Sequence, residues 1–280
     1  IIIFFTKLIF LNKFLISTFE QMRLIILFIW RVWFYLLASI PVIFLFPFLA
    51  IAAIHSKGYN FIFWCARYIW SPFILYLSGF YTKVSFEEEL PVGQSFILVA
   101  NHTSYMDPFV MFQVSKNPFV FVGKKELVKI PIFGYIYKRA AVMVDRSSKK
   151  SRWGVYRRVD KQLSLGYSIC IFPEVKYTDD TIFLNEFKRG AFKIAIDHQI
   201  PIIPMSFLDC KRKFPWYPRF GYPGQLRVKT FKKMYPPKDI KKLNYFKKKV
   251  WEVIFKGLKN DSLRNHEKAT EKEKSLKKTN

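Results

Sequence analysis

Hydrophobic positions along the chain fall into two regimes that meet near residue 80. Before it they run almost without interruption: residues 32–54 carry no charge, and a hydrocarbon core needs about 20 such residues to be crossed. A polar turn, His55-Ser56-Lys57-Gly58, separates this run from a second apolar stretch at 59–80, interrupted by Arg67 and Pro72. The pattern predicts a helical hairpin in the membrane. Pro41, Pro47 and Arg67 make its arms poor spanning helices, so a hairpin dipping into one leaflet is supported as well as two crossings. A secretory signal cleaved near Ala50-Ile51-Ala52 fits less well, because the apolar region is too long and a second greasy segment follows it.

After residue 80 the apolar runs become short. They recur at 96–100, 119–122, 140–144, 167–172 and 202–207, each bounded by polar residues, Gly or Pro. Between them lie helical patterns: residues 153–165 place Tyr156, Val159 and Leu163 on one face with Gly166 as the stop, and 190–199 turn Phe192, Ala195 and Ile196 inward. Strands alternating with helices predict an α/β fold, a largely parallel sheet flanked by helices on both faces and preceded by the N-terminal membrane-embedded helical hairpin. From Lys238 the pattern is a Lys-rich helix with Val250, Trp251, Ile254 and Leu258 at helical spacing, and the polar tail from Asn260 has a disordered composition. The expected division is a hairpin over 22–83, an α/β domain over 84–237, and a basic helix with its tail over 238–280. The chain opens on Ile and its first Met is Met22, so residues 1–21 are read as translated upstream sequence.

Charge changes this picture. The net charge is +26, and the segment from Lys211 to Asn280 holds 22 Lys and Arg against 6 Asp and Glu, a net +16. A chain that is greasy at one end and basic at the other suits an anionic membrane face. Nucleic acid is the competing reading, but the basic stretch has no recognisable binding motif. Cys65, Cys170 and Cys210 form no Cys-x-x-Cys pair and no metal-like cluster with His, as expected of reduced thiols in a protein facing the cytoplasm.

The chemistry gathers at Asn101-His102-Thr103-Ser104-Tyr105-Met106-Asp107, where the run 96–100 hands over to a helix for which Pro108 suits the first position and Asp107 the cap. On a continuous helix His102 and Asp107 would stand roughly 140° apart, so they meet only across a loop. If they meet, Asp107 takes the proton of one ring nitrogen and the other accepts a proton from a substrate hydroxyl. Otherwise Asp107 is a plain helix cap. Further strand ends carry Lys124 and Lys125, then Asp145-Arg146-Ser147, then Pro173-Glu174. Cations converging from separate strands suit a phosphate monoester, and a carboxylate beside them can hold a neighbouring hydroxyl.

In this order the blocks resemble the lysophosphatidate acyltransferase family, which acylates 1-acyl-sn-glycerol 3-phosphate in membranes. Residues 101–107 are similar to its His-x4-Asp block. Lys124-Lys125-Glu126-Leu127 through Gly134 to Asp145-Arg146 is similar to the second block, Phe172-Pro173-Glu174 to the start of the third, and Ile200-Pro201-Ile202-Ile203-Pro204 to the fourth. Phe187-Lys188-Arg189-Gly190-Ala191 also matches, and the resemblance covers residues 84–207. It implies that His102, oriented by Asp107, deprotonates the acceptor hydroxyl as it attacks an acyl thioester, carried by CoA or by an acyl carrier protein. Arg146, with Lys125 and Lys124, would hold the phosphate, and Glu174 the glycerol. No cofactor or metal is implied. One departure stands out: the family's third block continues Gly-Thr-Arg-Ser, whereas here it reads Val175-Lys176-Tyr177-Thr178. Lys176 and Lys188 are the candidates to replace the missing Arg, and an acceptor other than lysophosphatidate becomes an alternative. Two readings from other classes remain: a Ser104-His102 lipid hydrolase, without the Gly-x-Ser-x-Gly elbow such enzymes use, and a non-catalytic basic membrane-binding protein.

Overall fold

The apolar runs do become strands, and the reason is visible in the alternation along one of them. In β2 (Ile97–Ala100), Ile97 and Val99 point to one side of the sheet and Leu98 and Ala100 to the other, and all four are fully buried. A strand apolar on both faces needs a layer on each side. The computed structural model describes residues 2–144, 149–174, 183–217 and 220–263, with backbone only for 2–17, 56 and 149–153. The other strands are β1 (Phe80–Phe86), β3 (Phe119–Lys124), β4 (Ala141–Val144), β5 (Ser168–Ile171), β6 (Ile202–Phe207) and β7 (Gly224–Thr230). They form one sheet in the order β1-β7-β6-β2-β5-β3-β4, in which β6 and β7 pair antiparallel and the remaining neighbours pair parallel. β2 thus lies in the middle, and its carboxyl end opens between those of β5 and β6.

One face of the sheet is covered by α1 (Ile2–Ile54), by α2 (Tyr59–Cys65) and α3 (Ser71–Leu77), which a π-helical turn at Ala66–Trp70 joins, and by α4 (Asp107–Val114). The opposite face carries α6 (Lys149–Ser164), α7 (Gly190–His198) and α9 (Leu243–Lys259), through Val155 and Val159, Phe192 and Ala195, and Val250, Ile254 and Leu258. α5 (Phe133–Ala140) and the short α8 (Cys210–Lys213) follow β3 and β6. The three cysteines are free and buried.

The two arms expected to form a hairpin differ. α1 runs through Pro41 and Pro47 without a break, and its stretch Thr18–Ile54 is long and apolar enough to cross a membrane. The second arm buries Ile62, Phe63, Cys65, Ser71, Ile74 and Leu75 against the domain and leaves Phe61, Trp64, Tyr68 and Tyr76 exposed. Arg67, an obstacle to crossing in the sequence, donates to the main-chain oxygens of Phe112 and Ser115. It therefore satisfies carbonyls that the end of α4 leaves without intrahelical donors. β1 begins at Phe80, inside the segment assigned to the hairpin.

Candidate active site

The loop from Asn101 to Met106 leaves β2 at the carboxyl edge of the sheet, and its first residue secures it. The Asn101 side-chain amide donates to Phe207 O (3.1 Å) and its Oδ1 accepts from Phe207 N (2.8 Å). A side chain thus continues the ladder between β2 and β6 for one more step. From there the chain turns so that His102 and Asp107 meet: Nδ1 and Oδ2 are 2.8 Å apart. The same carboxylate oxygen accepts the main-chain N–H of Thr103 (2.7 Å) and of Ser104 (2.9 Å). Asp107 is fully buried and the His102 side chain is 17% exposed. The expectation that Asp107 caps α4 is corrected: the residue before the helix is Met106 and no side chain caps it. The carboxylate is turned back into the loop, where two amides and an imidazole outbid the helix end.

With Nδ1 committed to Asp107, Nε2 is the nitrogen that can accept a proton. The ring plane is set by aromatic neighbours. Phe172 stacks on it at 4.2 Å between centroids with 13° between planes, and Trp216 stands perpendicular to it at 5.1 Å. Tyr105 packs edge-on against Trp216 at 4.2 Å. The buried Cys210 thiol also meets Asp107. Burial first, and then the Asp107 and Asp209 carboxylates, raise it well above the usual thiol range, so it stays protonated and can donate to Asp107.

Glu174 enters from the end of β5. Its Oε1 accepts the His102 N–H (2.8 Å), and its Oε2 accepts the main-chain and side-chain N–H of Asn185 (2.9 and 3.0 Å). Asn185 in turn accepts the indole N–H of Trp251 on α9 through its carbonyl (2.8 Å). Glu174 is buried, and burial raises its carboxyl above the ordinary range despite the hydrogen bonds from Asn185 and His102 that pull it down. Both oxygens therefore brace the His102 loop against the 183–187 segment. Lys188, next after that segment, is exposed, and its main-chain N–H donates to Pro173 O (3.1 Å) beside Glu174. Lys124 ends β3 and Lys125 opens the 3-10 turn after it, one strand beyond β5 on the same edge, roughly 10 Å across the sheet from β2. Arg146 and Lys176 lie outside the described residues.

Ser104 is fully buried. Its hydroxyl donates to Phe214 O and accepts Met106 N–H (3.0 Å), so it shapes the loop and does not serve His102 as a nucleophile. Sequence reasoning missed what holds the other side of the site, the segment around Trp216. Phe214 packs at 4.8 Å from Phe34 and 5.1 Å from Trp30 of α1. Arg31 of α1 is buried, lies 4.6 Å over the Phe214 ring, and donates to the carbonyls of Tyr217 (2.7 Å) and Phe220 (3.1 Å). The available signal was Phe214-Pro215-Trp216-Tyr217, an aromatic, Pro-broken stretch in an otherwise basic region.

Residues 82–208 match the Acyltransferase family. A 1-acyl-sn-glycerol-3-phosphate acyltransferase of Chlamydomonas reinhardtii is 27% identical over 58% of this chain and 49% of its own length. The alpha form of the same enzyme from Mus musculus is 30% identical over 55% of each chain. The chain thus spans about half the length of the curated relatives it matches. The crystal structure of the 1-acyl-sn-glycerophosphate acyltransferase PlsC from Thermotoga maritima superposes with a TM-score of 0.69, covering 86% of this chain and 96% of that one at 23% identity, a likeness of fold. The match over residues 82–208 and the shared sheet together make this chain similar to members of the Acyltransferase family.

Proposed function

We propose that this protein transfers an acyl group from an acyl thioester to the free hydroxyl of a 1-acyl-glycerol 3-phosphate, giving phosphatidate for phospholipid synthesis. The observation that carries the reading is the 2.8 Å contact between His102 Nδ1 and an Asp107 carboxylate already fixed by two amides. His102 Nε2 takes the hydroxyl proton as the oxygen attacks the thioester carbonyl, the C–S bond breaks, and the departing thiolate recovers the proton. Positioned base catalysis of this kind is worth about 10²–10⁴-fold. The edge-to-face and stacked rings of Trp216 and Phe172 keep the imidazole in one orientation for it. Arg146, with Lys124, Lys125, Lys176 and Lys188 as further candidates, supplies cations for the phosphate. Glu174 acts first on the loop, and reaches the glycerol only if it exchanges a protein donor for a substrate one. The donor is acyl-CoA or an acyl carrier protein. α1 holds the domain at an anionic membrane, on its cytoplasmic face, where lysolipid enters from the leaflet.

Purified protein given labelled acyl-CoA and lysophosphatidate tests this. Ester formation is expected, falling about 10²–10⁴-fold in His102→Ala; full activity in that variant overturns the mechanism. A panel of acceptors with and without a phosphate monoester then decides the acceptor class.

A further inference from the structure

Ile132 carries a backbone conformation foreign to its residue type. Its φ is 62° and its ψ −62°, and Phe133 N–H donates to Pro131 O across it at 2.6 Å. This is a γ-turn of positive φ, strained for any residue with a Cβ and most of all for a β-branched one. Glycine would adopt it without that cost. The turn is also locked from behind, because a Cβ on Gly134 would lie 2.0 Å from Val128 O. A preformed, strained turn that retains Ile calls for a reason in the side chain it presents.

That side chain faces outward. Ile132 is 38% exposed, and Leu127, Ile130 and Tyr135 beside it are exposed as well. Among the described residues none of the four joins a core cluster. The patch adjoins the apolar helix α1: Tyr135 packs edge-on against Phe46 at 5.9 Å. Its rim is basic, with Lys125, Lys129, Lys138 and Arg139 exposed against Glu126 alone. An apolar tip ringed by cations, at the flank of a helix of membrane-crossing length, matches the acyl and headgroup layers of a phospholipid leaflet. We propose that the Ile130-Pro131-Ile132 turn is a second membrane contact of the catalytic domain, inserted into the leaflet beside α1, with the surrounding Lys and Arg at the headgroups. It rests on the membrane setting proposed above.

Full-length Ile132→Cys and, separately, Ile130→Cys are labelled with an environment-sensitive fluorophore in vesicles of phosphatidylcholine and phosphatidylglycerol. The native thiols are buried, which directs the label to the new position. Val92→Cys, 88% exposed in the loop at the opposite edge of the sheet, is the aqueous reference. Relative to that reference, several-fold weaker quenching by iodide together with several-fold stronger quenching by a spin-labelled phospholipid is expected at both turn positions. Iodide quenching equal to that at position 92 overturns the proposal. So does shielding from both quenchers, which assigns the turn to a protein contact. The readout uses no turnover, so its failure leaves the proposed reaction standing, and absence of acyl transfer leaves the membrane contact standing.

Discussion

Asp107 and Asp209 are both fully buried and both act on the Cys210 thiol, yet their partners differ in kind. Asp209 is ringed by cations that never let go. Arg227 donates to it from Nε (2.8 Å), from a terminal nitrogen (2.7 Å) and from its main-chain N–H (2.7 Å), Arg212 donates from Nε (3.0 Å), and Arg227 also pairs with Asp261 at 2.8 Å. This network ties β6, β7 and the end of α9 together. Asp107 has two neutral amides, one neutral thiol and one imidazole. Its counter-charge appears only when the imidazole is protonated, so the carboxylate can orient a base and stabilise the cation formed during proton transfer. Burial is common to the two; whether the partner is a permanent guanidinium or an imidazole separates a brace from what the proposed reaction uses as a participant.

The largest effect that would break this comparison is on turnover. Asp107→Asn leaves the shape of the loop but removes the charge that fixes the tautomer, and about a 10²–10⁴-fold fall in kcat with little change in KM is expected from steady-state kinetics. Asp209→Ala is expected to do the reverse. Stranding two guanidiniums should cost about 3–5 kcal/mol of stability in denaturant unfolding, with turnover per folded molecule altered no more than a few-fold. If Asp209→Ala lowered kcat as Asp107→Asn does while the fold stayed stable, the division between brace and participant would fail.

A smaller effect sharpens it through pH. Burial acts first to raise the Asp209 carboxyl, but the hydrogen bonds from Arg227 and then Arg212 outweigh it and hold it below its ordinary value. Its contribution to stability is therefore complete above the unfolded-state value, about 3.9, and is lost as pH falls through the depressed one. Glu174 has the opposite sign. Raised chiefly by burial, it contributes stability that is complete below the unfolded value of about 4.3 and lost as pH rises through the elevated one. Melting curves of Glu174→Gln should lack that alkaline-side loss, and a parallel pH dependence in wild type and variant would contradict the assignment. The floor is set by Asp197, whose exposed pair with Lys193 on α7 spans 2.5 Å. Lys193→Ala should change stability by no more than about 0.5 kcal/mol.

Most of the α/β domain is legible in the sequence because its strands are apolar on both faces and its helices keep one apolar stripe. The five predicted strands correspond to β2–β6 and the two patterned helices to α6 and α7. β1 and β7 escaped notice because their pairing leaves one face half-exposed and their apolar residues alternate with polar ones. At the site, five-residue spacing alone left open whether His102 and Asp107 meet, and Asp107 read as a cap. Glu174 read as a substrate ligand, whereas in the folded chain both of its oxygens face protein N–H groups.

The amino-acid order by itself determined the layered α/β architecture, the long apolar helix at the start, and the succession of polar blocks at strand ends. These depend on periodicity and on neighbours within about four residues, which a linear chain displays directly. Only the tertiary structure decided that the Asp107 carboxylate turns back to the imidazole, that the Ser104 hydroxyl is taken up by Phe214, and that Trp216, on a segment braced by Arg31 through Tyr217 O, stands against a histidine distant from both in sequence. Such contacts depend on which strands become neighbours, and the sheet places β6 directly beside β2, though β3, β4 and β5 come between them along the chain.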